Sequence, residues 1–112
     1  MLRDMTQPVK SRREKLQEFV AAHPNDAFAQ YGLAIELARE GDNDAAVRTF
    51  QELLSGHRDY VTGYFQLGQL YAKLGRSAEA KQILQSGIEV ANRTGDSHAS
   101  SEMAAALEEL SR

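Results

Sequence analysis

The chain has 112 residues, 42% of them apolar and 26% charged, with two prolines, no cysteine and a formal net charge of −3. That suffices for one domain with a single modest core, and it excludes disulfides, thiolate metal sites and thiol catalysis. No stretch approaches the roughly 18 apolar residues that cross a bilayer. The opening MLRDMTQPVKSRREK also lacks the apolar run of a secretory signal, so the sequence reads as a soluble, cytoplasmic protein with no membrane partner.

Helical periodicity marks six segments. The first is predicted from about Pro8 to Ala22, with Leu16, Phe19 and Val20 as its apolar stripe and Ser11 and Glu14 at capping-box spacing. It stops at His23-Pro24, because the residue before proline is pushed out of the helical region. The second, about Ala27 to Glu40, takes Asn25 or Asp26 as its N-cap and Gly41 as its left-handed stop. The third follows Asp42-Asn43, turns Ala46, Val47, Phe50, Leu53 and Leu54 inward, and ends at Gly56.

The fourth, about Val61 to Leu74 and closed by Gly75, has Tyr64, Leu67, Gly68, Tyr71 and Leu74 on one stripe. A glycine inside a helix costs about 0.8–1 kcal/mol relative to alanine, so Gly68 calls for a packing reason. The fifth, about Ala78 to Arg93, is predicted to be capped by Ser77, lined by Ala80, Ile83, Leu84, Gly87, Ile88 and Ala91, and ended by Gly95. The last starts at Asp96 or Ser97 and is predicted to bury Met103, Ala104, Leu107 and Leu110. No segment alternates as a strand does, so the fold class is all-α, with short connections that set consecutive helices antiparallel.

Sliding the sequence by 34 residues brings Leu33 onto Leu67, Ala34 onto Gly68, Leu37 onto Tyr71, Ala46 onto Ala80, Phe50 onto Leu84 and Leu54 onto Ile88. Small residues meet small ones and large apolar residues meet large ones. Tyr64-x-x-Leu67-Gly68-x-x-Tyr71 followed by Ala80-x-x-x-Leu84 resembles the tetratricopeptide repeat, and Leu33-Ala34-x-x-Leu37 with Ala46-x-x-x-Phe50 is a second copy. The family's proline is replaced by Arg58 and Asn92 and survives only as Pro24.

The resemblance implies one domain over 1–112, an α-α superhelix of about six antiparallel helices. Its parts are an N-terminal partial repeat or cap at 8–24, repeats at 27–60 and 61–94, and a C-terminal capping helix at 96–112 whose register needs two extra residues around 93–97. Where the two helices of a repeat cross, a small residue permits close approach, so Gly68 is expected to face Ala80, and Ala34 to face Ala46.

Chemistry is sparse. His23, His57 and His98 are isolated, no metal-ligand spacing, phosphate loop or nucleophile elbow occurs, and Glu108-Glu109 reads as a solvated pair, so no enzyme activity, cofactor or metal is expected. The basic run Lys10, Arg12, Arg13, Lys15 is interrupted by Glu14 and has no interleaved aromatic, which argues against nucleic acid and for a solvated helix face.

A second stripe is left over on the first helix of each repeat. It carries Phe28, Tyr31, Ile35 and Arg39 in one copy and Phe65, Gln66, Gln69 and Lys73 in the next. The resemblance places this stripe on a concave groove that receives a peptide or partner helix. The lysine, arginine and asparagine clamp that family members use for C-terminal carboxylates is missing, because Tyr31, Ile35, Phe65 and Gln69 stand there. The expected function is therefore a non-catalytic module binding an apolar or amphipathic protein segment, with self-association into a weak homo-oligomer as the alternative.

Overall fold

Residues 9–112 are described by a computed structural model and form six α-helices: α1 (Arg12–Ala22), α2 (Ala27–Arg39), α3 (Asn43–Gly56), α4 (Val61–Lys73), α5 (Ser77–Thr94) and α6 (Ser97–Leu110). No strand occurs among the described residues. Each helix packs on its chain neighbour, most extensively α2 on α3, α4 on α5 and α5 on α6, and α4 also touches α6. The result is an elongated all-α helical repeat solenoid of 59 × 28 × 20 Å.

The helix starts follow from local chemistry. The Ser11 hydroxyl accepts from the Glu14 N–H while the Glu14 carboxylate accepts from the Ser11 N–H, the expected capping box. That fixes the start of α1 at Arg12; Pro8 lies outside the described residues. Asp26 and Asp96 cap α2 and α6 by accepting from the N–H groups of Ala29 and Ala99. Gly41 and Gly75 adopt positive φ (84° and 77°) and turn the chain between the helices of each pair, as the sequence predicts.

Four expectations about the ends are corrected. Ser77 is not a cap but the first helical residue of α5; Arg76 stands before it without a side-chain capping bond and instead binds Glu79. Gly56 lies within α3, whose stop is His57 at φ −137° and ψ 78°, so that exit needs no left-handed glycine. Phe19 is 46% exposed rather than inward, because among the described residues α1 has a packing partner only on its α2 side, and the ring folds back on His23. Ala104 is exposed because it occupies the register that Gly68 holds against α5, and among the described residues no helix packs there.

The core comprises Leu33, Leu37, Phe50, Leu53, Leu67, Tyr71, Leu84 and Met103, with the small residues Ala34, Ala46, Ala80 and Ala91 wholly enclosed. Val90 is buried, while the expected Ile83, Ile88, Leu107, Leu110 and Leu74 are half-buried at its margin. A Cβ on Gly68 would lie 2.6 Å from Leu84 Cδ2 and 2.7 Å from its Cγ. Gly68 is thus a recess for Leu84, one turn beyond the expected Ala80. Sequence spacing identifies the close crossing but not which large residue fills it.

Candidate functional site

The leftover stripe lies on α2 and α4, and the structure divides it by exposure. Phe28 is 75% exposed. Tyr31 is half-buried, its ring edge-on to Phe50 at 6.4 Å between centroids and tilted against Tyr60 at 5.5 Å. Burial raises the Tyr31 phenol above its ordinary range, Tyr60 adds to this and the Gln66 side chain opposes it, so the hydroxyl is neutral at physiological pH and serves as a hydrogen-bonding group.

Ile35, Phe65 and Gln66 are also half-buried, whereas Arg39, Gln69 and Lys73 are exposed. Ile35, Gln66, Gln69 and Lys73 come together around a cleft of about 170 Å³ between α2 and α4, floored by Phe50 and Leu70. The other four predicted residues do not line it. Phe28 and Tyr31 lie toward the start of α2, Phe65 packs partly against the core, and Arg39 is committed to an ion pair with Glu36.

Glu36 is a feature that the sequence reading passed over. It is 3% exposed, yet charged, and is bracketed by Arg39 of its own helix and Arg12 of α1, whose Nε lies 3.3 Å away. The Arg39 hydrogen bond, above all, holds its carboxyl below the ordinary 4.5, with Arg12 contributing. Arg13 reaches Glu40 and Asp42 at 3.5 and 2.9 Å. Part of the basic run is therefore a fastening between α1 and the end of α2.

A second cleft, of about 370 Å³, opens between α4 and α6. Gly68, Gln69 and Ala72 form one wall, Ala106, Glu109 and Leu110 the other, and Leu84 the floor. Its α6 wall was missed because that helix was read only as a cap. The signal that finds it is the repeat register itself, carried past the two-residue insertion. Gln69 lines both clefts and forms the ridge between them.

Nothing in this groove is arranged for proton transfer or metal binding. Among the described residues no three His, Asp or Glu side chains converge, and His98 meets only Glu102, at 3.5 Å. No described helix is long and apolar enough to cross a membrane. What the groove offers is shaped apolar surface with amides and single charges at its rim.

Comparison with known proteins agrees with this geometry. Residues 37–110 match the family model for the tetratricopeptide repeat. The TPR repeat-containing protein PA0015 of Pseudomonas aeruginosa is 28% identical over 99 residues, which is 88% of this chain and 94% of that protein. The solution structure of a tetratricopeptide repeat domain protein from Salinibacter ruber is 36% identical, covers 78% of this chain and 88% of its own, and superposes with a TM-score of 0.74. The type III secretion translocator chaperone SycD of Yersinia enterocolitica shares the fold at a TM-score of 0.80, with 18% identity over 88% of this chain and 69% of its own.

Proposed function

The chain belongs to the tetratricopeptide repeat family, and from that premise we propose that it is a non-catalytic protein-interaction module whose α2–α4–α6 groove binds an apolar or amphipathic segment of another protein. The observation that carries the reading is the uncovered apolar stripe. Phe28 is 75% exposed, Tyr31, Ile35 and Phe65 are half-buried on the same face, and Ile35 lines the first of two clefts that no described helix fills. An apolar segment laid there would bury this surface, while Gln66, Gln69 and Lys73 orient it. The encounter is placed in the cytoplasm, for which the support is a cysteine-free composition.

The test must avoid residues that also hold the fold. Tyr31 supports Phe50 and Tyr60, so truncating it confounds binding with stability. Phe28 and Gln69 are exposed and suit the purpose. In affinity capture from the native cell, a Phe28→Ser, Gln69→Lys variant should lose the proteins retained by the wild type, while Glu52→Lys on α3 should keep them. Equal retention by all three removes the groove from consideration.

Self-association is the competing reading, and the exposed Phe19 on the free side of α1 is its one specific support. Light scattering across concentration decides it: mass that rises with concentration and falls in a Phe19→Ser variant would favour it.

A further inference from the structure

The two clefts are the same socket built twice. A shift of 34 residues takes Ile35, Ala38 and Phe50 of the first onto Gln69, Ala72 and Leu84 of the second. A shift of 36, which includes the insertion before α6, takes Leu70 and Lys73 onto Ala106 and Glu109. Repeat-related positions let the differences be read directly. Phe50 gives way to Leu84 and Leu70 to Ala106, so both exchanges shrink the lining, and the volume rises from about 170 to about 370 Å³. Lys73 gives way to Glu109, so the charge at the mouth reverses.

Neither mouth charge is neutralised deep in the fold. Lys73 is exposed and forms no ion pair among the described residues, and Glu109 has only Arg112, also exposed, at a loose 3.8 Å. Between the sockets stands the Gln69 amide, a donor and acceptor in one side chain. An extended backbone crossing that ridge has free N–H and C=O groups to pair with it, which a helix, already internally bonded, does not.

We propose that the groove reads the polarity of its ligand: it takes an extended segment of another protein with two apolar anchors. The smaller anchor, beside a carboxylate, enters the α2–α4 socket at Lys73. The larger one, beside a cationic side chain, enters the α4–α6 socket at Glu109. This rests on the groove reading above and adds size and charge order to it. Packed helices repeat at about 8–10 Å, and an extended polyproline-type segment puts residues three apart on one side at about 9 Å, so anchors three positions apart match the two sockets.

The experiment uses two acetylated, amidated hexapeptides with valine and leucine three positions apart on an alanine-proline spacer, which keeps the alanine N–H for the ridge while the proline holds the segment extended. In the first, glutamate flanks valine and lysine flanks leucine; in the second, the two charges are exchanged. Amide shifts of ¹⁵N-labelled full chain are followed at Gly68, Gln69 and Ala106. The first peptide is expected to bind about fivefold or more tightly than the second at low salt, the scale of one or two exposed charge pairs. The order should reverse in a Lys73→Glu, Glu109→Lys variant whose amide spectrum is otherwise unchanged. Equal affinities with shifts confined to the sockets overturn the polarity and leave the groove reading standing. Shifts elsewhere only, or none at millimolar peptide, overturn the polarity proposal and count against the groove as well.

Discussion

The two end helices cover the same kind of open repeat face by different physics. In α1 no residue is fully buried; Leu16 and Val20 rest half-covered on α2, and Arg12 and Arg13 fasten to Glu36, Glu40 and Asp42. In α6 the docking centres on Met103, which is wholly enclosed with its sulfur 2.5 Å from where a Cβ on Gly87 would sit, and Ala106, Leu107 and Leu110 pack half-buried beside it. One end is held by charge and the other by shape. Charge responds to salt and pH, shape to volume, so the two ends should fail under different insults.

The largest expected effect tests the shape-held end. Met103→Ala should cost about 2–5 kcal/mol, because it removes a buried thioether and leaves a cavity over Gly87. A urea midpoint lowered with unchanged slope would show it. Gly87→Ala comes next, at about 1–3 kcal/mol. The new methyl would lie 2.6 Å from Tyr64 Cβ, and Tyr64 cannot easily retreat because its hydroxyl donates to the Arg58 carbonyl at 2.8 Å. Combining it with Met103→Ala should cost less than the sum of the two, since the cavity relieves the sulfur half of the clash. Gly68→Val falls in the same range by driving Leu84 from its recess.

The charge-held end should respond more gently. Glu36 has its carboxyl lowered below 4.5 in the folded chain, chiefly by Arg39. Its contribution is therefore complete above that value and is lost as pH falls through the lower folded one. Protection of α1 amides, taken relative to the intrinsic exchange rate at each pH, should fall on acidification, whereas Glu36→Gln should already be less protected at neutral pH and change less below pH 4.5. The smallest effect is that of salt: 1 M sodium chloride should speed α1 exchange by about two- to fivefold and leave α6 unmoved. Equal responses at both ends would erase the distinction.

Much of the scaffold was legible in the chain, for identifiable reasons. Caps such as Ser11 with Glu14, and Asp26, act within one turn, and Gly41 and Gly75 mark left-handed stops. The 34-residue register located the small crossing residue at Gly68. The errors concern whether a neighbour exists. Periodicity gave Phe19 and Ala104 an inward face, but no described helix stands opposite either one. Glu36 was passed over for the same reason in reverse: a lone acid on an apolar helix becomes intelligible only when Arg12 arrives from another helix. At the groove, the α2 and α4 walls followed from the repeat, whereas the α6 wall required carrying the register through the insertion.

The wiring of helices has a kinetic side. Apart from α4 against α6, every substantial helix contact among the described residues joins helices adjacent along the chain. Such a chain closes only short loops as it forms, which favours rapid folding from a local start. The exception ties α4, α5 and α6 into a triangle, with Gly87 receiving Met103 at its centre. That triangle is expected to nucleate folding, with α1 joining last, which φ-values at Met103 and Leu16 would check. On unfolding the order runs backward, so the first segment to leave would be the one fastened by arginines.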